Sequence, residues 1–227
     1  MPTLERDGDV FVLDLGGDEN RFHPDWVAAV SGFVDEVAGA PAPRALVTAA
    51  TGKFWSNGLD LDWLVHNQER VDDYVGDVHE LFAKVLAAPM VTVAALQGHT
   101  FAAGAMLALA HDWRVMRADR GFFCLPEADI NIPFTPGMSA LIQCRLAPAA
   151  ATEAMIGARR FGGTEAAQRG LVDAAVPEEA VRTDAVALAA AHAGKDGETL
   201  RTIKRRMHAA PLAALADREA NRLARPA

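Results

Sequence analysis

Residues 91–117 read VTVAALQGHTFAAGAMLALAHDWRVMR, and this stretch leaves the chain little conformational freedom. Val91–Leu96 is an apolar run of strand type. Gln97-Gly98 turns it. Phe101-Ala102-Ala103-Gly104-Ala105 then carries almost no side chain, Met106–Ala110 has helical character, and Trp113–Met116 is a second strand-like run. A strand that enters a helix through Ala-Ala-Gly-Ala leaves the first helical N–H groups unpaired and sterically open. The helix dipole aligns with those donors, so such a bend suits a developing negative charge. Tight packing of a helix on its neighbour calls for the same small residues, and this stretch alone favours that plainer use.

With 227 residues, 51% hydrophobic and 23% charged, the chain suits one large domain, or one domain with a smaller appendage. The net charge of −8 gives a nucleic-acid partner no electrostatic support. A local basic patch on an acidic protein still suffices for a phosphate-bearing ligand. Cys124 and Cys144 have no paired spacing, so neither a disulfide framework nor a zinc site is expected. The charged start MPTLERDGDV lacks the apolar core of a signal peptide, and no run is long enough for a membrane span. The expectation is a soluble cytoplasmic protein.

In chain order, Leu4–Arg6 and Val10–Leu15 flank Asp7-Gly8-Asp9, a hairpin signal. Pro24–Gly39 has apolar positions at helical spacing, and Arg44–Ala49 is a strand. Strand, helix and strand in that order suggest a crossover unit. Leu61–Val65 and Val71–Ala88 are helical, Gly121–Leu125 is a short strand, and Ala128–Pro136 is a loop. Gly137–Arg145, Ala149–Gly157 and Thr164–Arg169 read as short helices, and Leu171–Val176 as a short strand. From Pro177 the chain is expected to be helical, with breaks at Lys195–Gly197 and at Pro211.

No GxGxxG follows a strand, no phosphate loop ends in Gly-Lys-Ser/Thr, and no Gly-x-Ser-x-Gly elbow is present. The seven histidines are scattered without metal-ligand spacing. What repeats is a grammar: strand, bend with glycine, helix. Ser56-Asn57-Gly58-Leu59-Asp60 has it, and so does Phe101–Met106. If the two bends converge, each offers one backbone N–H to a single oxygen, and two such donors form an oxyanion hole for a thioester enolate.

Lys53-Phe54-Trp55-Ser56-Asn57-Gly58-Leu59-Asp60-Leu61 and Gln97–Val115 resemble, in order, the first two signatures of the crotonase superfamily, also called the enoyl-CoA hydratase/isomerase family. Phe123-Cys124-Leu125-Pro126-Glu127 with Ile130-Asn131-Ile132-Pro133 resembles the third. Ala154–Phe161 and Thr164–Asp173, ending in Gly-Leu-Val-Asp, resemble the downstream block. The resemblance covers nearly the whole chain. It implies an α/β spiral of ββα units over residues 1–165, and a helical trimerisation region over 166–227, giving a homotrimer or a hexamer of paired trimers. It implies acyl-CoA thioester substrates, with no cofactor beyond the coenzyme A that the substrate carries.

By matched position the oxyanion donors would be the N–H groups of Leu59 and Ala103, with Ser56, Asn57, Gly58, Ala102 and Gly104 around them. Hydratases of the family use two glutamates. The first falls on Met106, which has no acid to offer, and the second on Glu127. One carboxylate facing an apolar residue resembles the Δ3,Δ2-enoyl-CoA isomerases, in which a single glutamate shuttles a proton. Other enolate reactions of the superfamily remain as alternatives: hydration, decarboxylation or thioester hydrolysis, with Asp129 as a conceivable second acid. So does a non-catalytic acyl-CoA-binding homologue. Lys53, and the basic cluster Lys204, Arg205 and Arg206, would meet coenzyme A phosphates; a solvated surface is the ordinary use of each. Asp60 and Asp112 fit a helix cap and a buried acceptor. Trp55, Trp63, Phe101, Phe123 and Phe134 would line an acyl pocket or fill the core.

Overall fold

In the computed structural model, which describes residues 1–222, the chain opens with a hairpin. β1 (Thr3–Asp7) and β2 (Val10–Asp14) pair antiparallel with Asp7 opposite Val10, and Gly8 in the turn takes φ +59°. A left-handed residue is what a two-residue hairpin turn requires. α1 (Pro24–Gly39) buries Trp26, Val27, Val30, Val34 and Val37, the helical stripe read from the sequence. β3 (Ala45–Ala49) then lies parallel beside β2.

From β3 onward the chain makes the same move three times: a strand in a large sheet, a short strand in a small sheet, then helix. β3 leads to β4 (Phe54–Ser56), then α2 (Leu61–His66), a 3-10 turn (Gln68–Arg70) and α3 (Val71–Leu86). β5 (Val91–Leu96) leads to β6 (His99–Phe101) and α4 (Ala103–Ala110). β7 (Trp113–Arg117) leads to β8 (Phe123–Cys124) and, past a loop, α5 (Pro136–Arg145). α6 (Pro148–Met155), α7 (Gly163–Gln168), β9 (Ala174–Val176), α8 (Glu178–Ala190), α9 (Gly197–Met207) and α10 (Ala209–Ala216) complete the described chain. The large sheet runs β1-β2-β3-β5-β7-β9, parallel from β2 on, and the small sheet β4-β6-β8 is wholly parallel. This is the expected ββα spiral.

Both faces of the large sheet are covered, so its central strands are mostly apolar; every residue of β3 and β5 is buried. The main core lies between the sheets and α1, α3 and α4. α4 is buried on all sides, which a helix of Ala, Gly, Leu and Met tolerates. The opposite face of the sheet carries Val12, Val47 and Val93 against Val181 and Ala185 of α8.

Three features stand out beyond residue 165. β9 extends the large sheet alongside β7, and α8 is the helix that covers its second face, so this largely helical part also builds the core. The break foreseen at Pro211 lies at His208 instead, and α10 runs through Pro211. Proline sits there in the first helical turn, where its missing N–H has no intrahelical acceptor to lose. The third concerns Lys204, which is 4% exposed and the one buried residue of α9. Its Nζ donates to Asp112 Oδ2 at 2.6 Å and to the Met90 carbonyl at 2.7 Å. That pair pins α9 to the sheet, so the side chain is committed inside the chain and does not reach a coenzyme A phosphate. Asp112, partly buried, is the acceptor expected of it, taking the Thr92 N–H as well at 2.8 Å.

Removing one partner of a buried pair leaves the other charge uncompensated. Lys204→Met is expected to lower the unfolding free energy in urea by about 3–5 kcal/mol. A loss below about 1 kcal/mol, the value of an exposed pair, would contradict the pinning role.

Candidate active site

The site is built from the two bends. After β4 the chain is folded by Ser56, whose Oγ donates to the Asn20 carbonyl at 2.8 Å and accepts from the Gly58 N–H at 3.1 Å. Asn57 N–H bonds the Glu19 carbonyl at 2.9 Å, and Phe22 N–H bonds the Gly58 carbonyl at 2.8 Å. The bend is thereby stitched to residues 19–22. Asp60 then caps α2, its Oδ1 accepting from Trp63 N–H at 3.1 Å.

After β6 the second bend turns on Ala102, at φ +50° and ψ −126°. A side-chain-bearing residue pays strain for a positive φ. It is held there by its N–H on the Cys124 carbonyl at 3.0 Å and by its own carbonyl, which accepts the Met106 N–H at 3.1 Å. Ala103 is thus the first residue of α4, with its N–H outside the helical ladder.

The two bends converge. A Cβ on Gly58, which sits at φ +83°, would lie 2.8 Å from the Ala102 Cβ and 3.0 Å from the Ala103 nitrogen. A Cβ on Gly104 would lie 2.7 Å from that of Ser56. Both glycines are there because the backbones touch. Among the described residues, neither Leu59 N–H nor Ala103 N–H has a hydrogen-bond partner, and Leu59 and Ala103 line one cavity of about 300 Å³. Unpaired amides are otherwise rare in proteins.

Glu127 follows β8 and lines the same cavity, 6% exposed, with no partner for Oε2 among the described residues. Burial pushes its carboxyl from 4.5 up to about 7, opposed only by its own backbone N–H. Met106, 1% exposed, lines the cavity with it. Ile130, Ile132, Pro133 and Met138 add an apolar wall. Asn57, Arg21 and Asp62 also line the cavity, and Arg21 Nη1 bonds Asp62 Oδ2 at 2.7 Å. That Asp62 carboxylate is largely solvent-exposed.

Several expected residues lie elsewhere. Trp55 is wholly buried in the core, its Nε1–H on the Thr48 carbonyl at 3.2 Å, because β4 turns it away from the cavity. Phe123 is likewise core, and of the five aromatics only Phe101 lines the cavity. Ser56 and Gly104 shape the bends and do not face the cavity. Lys53 is exposed over the Phe54 ring and borders neighbouring, more open hollows rather than this cavity. Asp129 is exposed and does not line the cavity, and its backbone N–H bonds the Pro126 carbonyl at 2.9 Å. The isoleucine wall went unforeseen, since a loop with two prolines shows no periodicity to point a side chain. Among the described residues no group of three or more acidic, His or Cys side chains is placed to hold a metal.

With this geometry in place, comparison with known proteins is informative. A family profile described as enoyl-CoA hydratase/isomerase matches residues 19–223. Enoyl-CoA delta isomerase 3 of Arabidopsis thaliana is 37% identical over 235 residues, covering 99% of this chain and 98% of its own. Peroxisomal enoyl-CoA delta isomerase 2 of the same plant is 37% identical over 221 residues, 92% of each chain. Among solved structures, the apo enoyl-CoA isomerase of Mycobacterium tuberculosis superposes with a TM-score of 0.89 at 25% identity, over 96% of this chain and 95% of the other. An enoyl-CoA hydratase of Mycobacterium marinum superposes at 0.87 with 26% identity, over 94% of each. The chain belongs to the enoyl-CoA hydratase/isomerase family, the crotonase superfamily, and is an enzyme of its delta-isomerase type.

Proposed function

We propose that this enzyme converts 3-enoyl-CoA to 2-enoyl-CoA with Glu127 as its single acid–base residue. The observation that carries the proposal is one buried carboxyl with a free oxygen, sharing a cavity with two unpaired amides and a methionine. Glu127 carboxylate removes a proton from C2. The electrons move into the thioester, giving a dienolate whose oxygen accepts from Leu59 N–H and Ala103 N–H. The protonated Glu127 then gives that proton to C4 on the same face, and the double bond rests between C2 and C3. No water enters and nothing is oxidised. Coenzyme A arrives and leaves with the acyl group, so the reaction calls for no separate cofactor.

Each part has a physical reason. Preorganised amides in a site sheltered from water stabilise a developing oxyanion far better than solvent does. A carboxyl near 7 is a stronger base than an ordinary glutamate, yet still ionises at neutral pH. Met106 offers no group to orient a water, which favours isomerisation over hydration. The apolar wall suits an unsubstituted hydrocarbon chain. The family resemblance supports a homotrimer, alone or paired into a hexamer; exposed Ile203 and Met207 on α9 are apolar surface available to such contacts.

Conversion of 3-hexenoyl-CoA to the conjugated thioester, followed in the ultraviolet, tests the reading. Glu127→Gln is expected to lower kcat by about 10²- to 10⁴-fold while the acyl-CoA still binds. Unchanged turnover would remove Glu127 from the reaction. Faster hydration of 2-hexenoyl-CoA than isomerisation would overturn the assignment.

The parent kcat/KM is expected to rise with pH through a midpoint near 7, because the reactive form is the carboxylate. Stability is expected to run the other way. The fold favours the protonated acid, so the contribution of Glu127 is whole below about pH 4.5 and is lost as pH climbs through about 7. A shift of this size is worth roughly 3 kcal/mol. Glu127→Gln should therefore gain roughly that much relative to the parent between about pH 4 and pH 8. Parallel stability curves for the two proteins would contradict the burial argument.

A further inference from the structure

Tyr74, the single tyrosine of the chain, sits on α3 at 3% exposure, behind the first bend and outside the cavity lining. Its hydroxyl donates to the Phe22 carbonyl at 2.6 Å and accepts from the Asp60 N–H at 3.2 Å. Phe22 and Leu59 form an isolated parallel bridge, in which Phe22 N–H bonds the Gly58 carbonyl at 2.8 Å. The phenol oxygen thus bonds the same Phe22 carbonyl and Asp60 amide that face each other as the other half of that bridge.

The consequence follows from peptide geometry. In the trans peptide joining Gly58 to Leu59, C=O and N–H point in opposite directions. Holding the Gly58 carbonyl on Phe22 therefore aims Leu59 N–H away from Phe22. The peptide on the other side of Leu59 is held through Asp60 N–H by Tyr74. With both flanking peptides fixed, the two backbone dihedrals of Leu59 have no room to turn. The anchor itself is rigid, since Phe22 is fully buried and stacks on Trp26 at 4.6 Å.

We propose that Tyr74 is a positioning residue whose hydroxyl, by bridging Phe22 and Asp60, sets the direction of Leu59 N–H and hence the strength of the oxyanion hole. The proposal rests on the oxyanion role of Leu59 put forward above. Tyr74→Phe keeps the ring against Trp63 and removes only the bridge. The Leu59 donor remains present but is free to drift, so the loss is smaller than deletion of a donor would give.

The test uses unreactive hexanoyl-CoA carrying ¹³C at the thioester carbon, bound to the parent and to Tyr74→Phe, with the carbonyl band read by infrared spectroscopy. In the parent the band is expected to fall below that of free hexanoyl-CoA, and in the variant to return at least halfway. Alongside, kcat for 3-hexenoyl-CoA is expected to drop about 10-fold or more, with KM changed by less than about threefold. A variant with the parent's band and the parent's kcat overturns the positioning role. A parent whose band does not move on binding overturns instead the oxyanion reading beneath it. Should Tyr74→Phe not fold, uniform 3-fluorotyrosine labels this one site. Its ¹⁹F resonance is expected to shift when hexanoyl-CoA binds, and an unmoved resonance overturns the proposal.

Discussion

Two backbone bends approach each other so closely that no side chain fits between them. Gly58 faces Ala102 and Ala103, and Gly104 faces Ser56, each at a distance that a Cβ would violate. This contact joins the end of β4 to the end of β6, and it is what places Leu59 and Ala103 on one cavity. The spiral serves it: stacking β4, β6 and β8 in parallel sets successive bends side by side, with Leu59 N–H unpaired in the first and Ala103 N–H in the second. The strain at Ala102 belongs to the same arrangement, held by hydrogen bonds on both sides of the residue.

The acid is the second expense. A glutamate taken out of water without a partner loses ionisation strength, and the fold carries that loss as reduced stability at neutral pH. Its neighbours are chosen accordingly. Buried Met106 offers the carboxyl no polar partner, and Ile130 and Ile132 add apolar wall to the same cavity. Structural neighbours named as isomerase and as hydratase superpose on this chain almost equally well, with TM-scores of 0.89 and 0.87. Fold alone does not separate the two activities; the side chains of the site must.

Much of this was legible in the chain itself. The hairpin turn at Asp7-Gly8, the stripe of α1 and the buried run of β5 follow from local chemistry and came out where expected. The family resemblance of the signature segments pointed to Gly58, Leu59, Ala103 and Glu127, and the structure gathers them at the two bends and the cavity beside them. Other features depend on partners distant in sequence. Trp55 reads as a pocket aromatic until strand direction turns it inward. Lys204 reads as surface charge until Asp112, 92 positions away, is seen to meet it. β4, β6 and β8 have three residues or fewer, too short for alternation to mark a strand. β9 shows its role only in the sheet it completes.

The most direct test of the converging amides is a crystal structure with a bound enoyl-CoA. The expected result is a thioester oxygen within about 3 Å of both the Leu59 and Ala103 nitrogens, with Glu127 above C2 and C4. A thioester oxygen bonded to neither amide, or a Glu127 side chain turned out to solvent, would contradict it.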